Sequence, residues 1–352
     1  MNASQLLKFF EARRRREEPL VLVTVFDTQG STYSKAGARM LIDQNGDFQG
    51  MLSGGCLEGD LAVRAKIVVE SGSPQVVTYD LSQDDELWGL GIGCDGLMRV
   101  FLQPLIHGSG YQPFAALADI LRGHSMAVAT TVIESTSPAT PPGATVIRND
   151  AGAQVFGMSD DCAEALTAAV PAVAEQGLSS VSQVQIGDER LLVLNALVEP
   201  PPRLLVLGAG LDAEPIVRFA SELGWRCTVV DHRQAYIDNG DFGRADTALC
   251  VPADNLADML ELPEFDFAIV MSHHLVSDRS YLRQLAATDI SYIGLLGPAN
   301  RRERLLSDLR QSGTDLGDRL HGPAGLDIGG RGPAAIALSI MAEMQQQSRR
   351  RC

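Results

Sequence analysis

The chain has 352 residues and a formal net charge of −15, with 45% apolar and 21% charged residues. That length holds two or three domains, each with its own core, and the composition is that of a globular protein. The acidic balance argues against nucleic acid and anionic membranes as partners, and the basic runs Arg13–Arg16 and Arg349–Arg351 are too short and too terminal to reverse it.

The six cysteines, Cys56, Cys94, Cys162, Cys227, Cys250 and Cys352, form neither a CxxC pair nor a zinc-site spacing. Scattered thiols in a chain of this size predict a reducing, cytoplasmic setting. No signal peptide is read at the start, and no apolar run reaches the length of a membrane span.

Residues 3–12 read as a short amphipathic helix, and Leu20–Phe26 as a buried strand. Residues 37–42 and 46–51 form a hairpin around Asn45 and Gly46. Then comes Ser53, Gly54, Gly55, Cys56, Leu57, Glu58, Gly59, the stretch around which the chain is organised. Two glycines before a thiol let backbone approach a ligand closely. A helix over about 57–69 follows, so its dipole and unpaired N–H groups favour an anion and a thiolate at Cys56. Glu58 opposes this by adding negative charge to the first turn. The alternative is a tight turn with a small buried cysteine. A second glycine-dense loop, Leu87 to Gly96, holds Trp88 and Cys94, either as a packed aromatic with a small core thiol or as a second wall of the Cys56 pocket, and strands flank it at 76–79 and 97–102.

Residues 126–199 repeat this order, so 20–105 and 126–199 are read as an internal duplication within an α+β domain spanning 1–199. Cys162 aligns with Cys56, but Asp160 and Asp161 stand where the first copy has Gly54 and Gly55. Two carboxylates there repel an anion, which leaves the first copy as the functional one.

Pro200, Pro201 and Pro202 mark the boundary. From 203 to 352 strands and helices alternate, which predicts a Rossmann-like doubly wound parallel sheet with ligands at the strand carboxyl ends. Gly208, Gly210 and Ala213 carry dinucleotide spacing between a strand and a helix over 213–223. Asp231 ends the next strand, placed for a ribose diol. Asp212 and Glu214 are unfavourable to a pyrophosphate at that helix end, and Arg233 is positioned to offset one of them or to meet a 2′-phosphate. His273 follows the strand over 265–271 and is a candidate acid–base group; with His274 it lacks a third metal ligand.

Taken together, these motifs resemble the XdhC/CoxI family of accessory factors for molybdenum hydroxylases such as xanthine dehydrogenase. The resemblance spans nearly the whole chain. It rests on residues 53–59 and 89–96, on 208–215 and 231–233, and on 292–298 and 321–329. It implies a cytoplasmic carrier that binds molybdenum cofactor (molybdopterin), protects it while a cysteine desulfurase supplies sulfur, and delivers it to the hydroxylase apoenzyme. The residue carried over as metal ligand is Cys56, with Cys94 a weaker candidate. Family members often carry His-Asp where this chain has His273 and His274. A homodimer is the generic expectation. An NAD(P)-dependent oxidoreductase built on the second domain and a redox-sensing adaptor built on Cys56 are the competing readings.

Overall fold

The structure, a computed structural model, describes residues 2–80, 96–170 and 179–348. The chain divides into two compact units, Met1–Pro200 and Pro201–Cys352. Among the described residues, no helix is long and apolar enough to cross a membrane.

In the first unit α1 (Ala3–Arg14) leads to β1 (Leu20–Gly30), β2 (Arg39–Asp43), β3 (Phe48–Gln49), α2 (Glu58–Ser71), β4 (Gln75–Asp80) and β5 (Gly96–Leu105). After α3 (Phe114–Arg122) the series returns as β6 (Ala127–Ser135), β7 (Thr145–Asn149), β8 (Gly152–Phe156), α4 (Asp160–Ala169), β9 (Ser180–Ile186) and β10 (Glu189–Val198). Two antiparallel sheets result, ordered β3-β2-β1-β5-β4 and β8-β7-β6-β10-β9.

The match extends to register. Leu20 faces Leu105 in one sheet, and Ala127 faces Val198 in the other. Six residues into each leading strand the ladder slips by one, skipping Phe26 in β1 and Ile133 in β6. A bulge of this kind bends the strand and re-aims a side chain. Both skipped residues are buried in one cluster with Phe101, Leu194 and Ala196, between the sheets. Leu20, Leu22, Leu41 and Leu105 meet Ala127, Ala129, Ile147 and Val198 in a second shared cluster, which α1 and α3 close.

Alternation sends the other residues outward. Val21, Val23, Val25, Met40 and Ile42 pack against Leu61, Ala65 and Val68 of α2. Val132, Val146 and Val193 pack against Ala163 and Leu166 of α4. The layers are therefore helix, sheet, sheet, helix.

Glycine turns tie the sheets together. The Gly37 amide donates to Val25 O at 2.8 Å, and the Gly143 amide to Val132 O at 2.8 Å. Both have φ near +90°, a region that favours glycine. A Cβ on Gly37 would collide with Ser179 Oγ, and one on Gly143 would lie 3.0 Å from Gln103 Nε2.

The second unit runs β11 (Arg203–Leu207), α5 (Ala213–Leu223), β12 (Arg226–Asp231), α6 (Gln234–Asn239), β13 (Thr247–Cys250), α7 (Leu256–Met259) and β14 (Phe267–Val270). It continues with α8 (Leu275–Ala286), β15 (Tyr292–Leu295), α9 (Ala299–Gln311), β16 (Leu320–His321) and α10 (Pro333–Ser348). The sheet is parallel, in the order β13-β12-β11-β14-β15-β16. One face holds α5 and α10 over Leu204, Val206 and Ile269; the other holds α8 and α9 over Leu205, Leu207 and Val270. Strand order reverses at β11, so the crevice expected for a ligand opens between the loops after β11 and β14.

Candidate functional site

In the first unit the loop from Leu52 to Leu57 joins β3 to α2 and is built on Glu58. This carboxylate is buried. It accepts from the amides of Leu52 (2.8 Å), Ser53 (2.9 Å), Gly55 (3.0 Å) and Leu57 (3.2 Å), and from the Ser53 hydroxyl. Burial alone would raise its pKa, but the Ser53 hydroxyl and the Ser53 and Leu52 amides outweigh it and hold the carboxylate below its usual range. Sequence reasoning read Glu58 as a charge opposing an anion in the turn. The structure corrects this, because Glu58 is itself the anion that the turn binds. The amides of Gly54 and Cys56 lie outside its set.

Gly54 (φ +79°) and Gly55 (φ +108°) are exposed, and the chain can pass through these conformations because neither carries a Cβ. A Cβ at Gly54 would touch the Tyr33 ring at 3.4 Å, whereas one at Gly55 would meet open space. Cys56 is a free, half-buried thiol just ahead of α2, packed against the cluster beneath that helix. Among the described residues no group of three or more His, Cys, Asp or Glu side chains is placed to hold a metal. Any metal at Cys56 would therefore find at most one further side chain of these types among them.

Cys162 is not the structural counterpart of Cys56. The second copy caps α4 with Ser159, whose hydroxyl accepts from the Cys162 amide, so Cys162 lies inside the first helical turn. Gly157 stands three residues before α4, while Gly50 stands eight before α2. The extra residues are the Cys56 loop itself, which the second copy lacks. Cys94 lies outside the described residues.

In the second unit Gly208 (φ +126°) lets the β11–α5 loop rest on the β14–α8 loop. A Cβ there would be 2.6 Å from the backbone of Met271 and Ser272. Gly210 faces open space. Asp231 is fully buried and takes the Ala209 amide (2.8 Å), the Arg233 amide (2.9 Å), and Arg233 Nε (2.9 Å) and Nη2 (2.8 Å). Burial would raise its pKa, but Arg233 and the Ala209 amide hold it low. Both oxygens are thus engaged by the chain, and the expected acceptor for a ribose diol is not open to one. Arg233 does not offset Asp212 or Glu214. Instead His273 Nε2 lies 3.2 Å from Asp212 Oδ2, and Glu214 accepts from the Asp241 amide at 3.2 Å.

His273 has φ +57°, a costly conformation for a residue with a Cβ. His274 caps α8 by accepting from the Ser277 amide, and its ring lies 5.6 Å from that of His232. Beneath them Asp278 accepts from Ser272 Oγ (2.5 Å) and pairs with Arg301. The phenol of Tyr281 is buried without a partner among the described residues. Sequence reasoning singled out residues 231–233, Ser272, His273, His274 and Asp278 but missed Arg301. The Arg301 to Asp278 contact spans 23 residues and leaves no local pattern.

Fold and sites together define a two-unit protein: two packed sheets of like strand order carrying a half-buried thiol on a glycine loop, and a Rossmann-type parallel sheet. Residues 13–80 match the profile of the XdhC and CoxI family, and residues 204–344 match that of the XdhC Rossmann domain. The chain is 31% identical over 335 residues to a probable xanthine dehydrogenase subunit from Bacillus subtilis (strain 168), covering 95% of this chain and 94% of that one. It is also 30% identical over 148 residues to the uncharacterized protein YqeB of Escherichia coli (strain K12), covering 27% of that protein. A crystal structure described as a xanthine dehydrogenase from Bacillus halodurans superposes with a TM-score of 0.79 at 30% identity, covering 100% of this chain and 97% of that one. The chain belongs to the XdhC and CoxI family.

Proposed function

We propose that this protein is an accessory factor in the maturation of a xanthine dehydrogenase-like molybdenum hydroxylase, and that it carries molybdenum cofactor as cargo on the Cys56 loop. The observation that carries the reading is the loop itself. Glu58 fixes the backbone from inside, and a half-buried soft thiol is left beside two exposed glycines. A thiol is an apt ligand for a soft metal–dithiolene centre, and one ligand permits release where a closed cage would not. The loop suits the metal end of the cargo better than its phosphate, since Glu58 already holds four of the loop amides. A cysteine desulfurase and the hydroxylase apoenzyme are the partners this role requires, and a homodimer is the proposed assembly.

The oxidoreductase alternative has less support. Its diol acceptor, Asp231, is buried under Arg233, and its helix terminus carries Asp212 and Glu214. Cys56→Ser decides the main reading. The variant should melt within a few degrees of wild type while co-purifying with much less molybdenum and pterin from a molybdenum-replete host. Cys162→Ser should leave both contents unchanged. Wild-type molybdenum and pterin contents in the Cys56→Ser protein would rule out the ligand role.

A further inference from the structure

We infer that the parallel-sheet unit binds a phosphomonoester at the carboxyl ends of β12 and β14, against Arg233, His232 and His274, in preference to an unphosphorylated ribose.

Three observations carry this. First, the group that would read a ribose diol is inaccessible: Asp231 is 0% exposed and accepts four hydrogen bonds from Ala209 and Arg233. Second, the same contacts hold Arg233 rigidly. Nε and Nη2 face Asp231, Nη2 also reaches Ser272 O at 3.3 Å, and the Tyr236 ring covers one face of the guanidinium with its centroid 3.6 Å away. Nη1 has no partner among the described residues, and the side chain is 31% exposed. A pre-oriented guanidinium with a free donor suits a phosphate oxygen. The half-exposed His232 lies next to it in the chain, the exposed His274 ring stands 5.6 Å from that of His232, and His273 keeps a strained positive φ.

Third, the usual anion site of this fold is unfavourable here. The first turn of α5 carries Asp212 at its cap and Glu214 just inside, where a pyrophosphate would need positive potential. The attraction for an anion therefore lies one strand over, on β12, and a single phosphate satisfies it. This inference goes beyond the Cys56 reading and does not depend on it.

The test is calorimetry on the full-length protein with 2′-AMP, adenosine, NADP+, NAD+, 6-hydroxymethylpterin and the monophosphate of 6-hydroxymethylpterin. Each phosphomonoester should bind at least about tenfold tighter than its unphosphorylated counterpart, the effect of one or two charge-assisted hydrogen bonds. NADP+ should bind no tighter than 2′-AMP, because its pyrophosphate meets the acidic end of α5. The pterin and adenosine phosphates separate a pterin-borne from a ribose-borne ligand. NAD+ binding as tightly as NADP+, or no phosphomonoester binding, would overturn the inference. Arg233→Gln should abolish the preference, and an unchanged preference in a folded variant would also overturn it. The wild-type ratios stand without that variant should it fail to fold. Repeating the titration on Cys56→Ser should give the same ratios, which separates this site from the thiol loop.

Discussion

Five donors converge on the carboxylate of Glu58, four of them main-chain amides within six residues of it. This arrangement explains how a stretch with two left-handed glycines keeps one shape. Removing the acceptor leaves buried donors without partners, at a cost of roughly 1–3 kcal/mol for an unsatisfied group. Glu58→Ala should therefore lower the unfolding free energy by about 3 kcal/mol in a denaturant titration, and Glu58→Gln by less, because its amide oxygen still accepts. The variants should also expose Cys56 to alkylation faster than wild type at a fixed pH. An unchanged alkylation rate in both would mean that Glu58 does not position the thiol. The thiol between glycines and a helix was legible in the sequence, because residue types carry that information. The role of Glu58 was not, since a carboxylate in a first turn reads the same whether it faces solvent or folds back over its own loop. The same holds for Asp231 and Arg233. Their adjacency was plain, but the choice of each other as partners is made by burial, which a sequence does not print.

At the scale of elements, the strands were the most legible part. Residues 20–26 and 203–207 are dense in β-branched and aliphatic residues, and the structure holds them in β1 and β11. The helix α3 escaped notice although Asp119 and Arg122 mark a polar face opposite its six buried residues; at nine residues it shows that face for little more than two turns. The bulges at Phe26 and Ile133 were also invisible, since one skipped residue does not disturb a run that is apolar on both faces. Phe101 shares their cluster and is 2% exposed, so Phe101→Ala should cost about 3–5 kcal/mol, read as a fall in denaturant midpoint at constant slope. Gly208 makes a different demand on its element. Its φ of +126° and the backbone 2.6 Å from a built Cβ leave no room for Gly208→Ala without moving the β11–α5 loop off Met271 and Ser272. That variant should lose melting temperature, and the shift should exceed that of Gly210→Ala, whose Cβ meets open space. Equal shifts would show that the contact between the two loops is not what requires a glycine.

For the whole molecule, acid is the informative stress. Glu58 in the first unit and Asp231 in the second are both held below their ordinary values of 4.5 and 3.8. Their stabilisation is complete above those values. It is lost as pH falls, because the unfolded chain takes up the protons first. His232, whose imidazole burial holds below 6.5, acts in the same direction and sets in earlier. Melting temperature should thus be nearly flat above about pH 7, decline slightly towards pH 5 and fall steeply below it. Glu58→Gln should flatten part of the steep region; an unaltered profile would remove Glu58 from that account. The two sheets of the first unit share one strand order, but the way they meet is not legible in the sequence, and that meeting has a consequence. Each shared cluster draws equivalent residues from both copies: Leu20 with Ala127, Leu22 with Ala129, Leu41 with Ile147, Leu105 with Val198. The turn at Gly37 leans on the sheet position of Ala196, and the turn at Gly143 leans on Gln103, the equivalent position by register. Such swapped contacts are those of an isologous pair. The face between the sheets therefore behaves as an interface with two equivalent halves, so a substitution at Leu22 and one at Ala129 should couple rather than add in a double-mutant cycle.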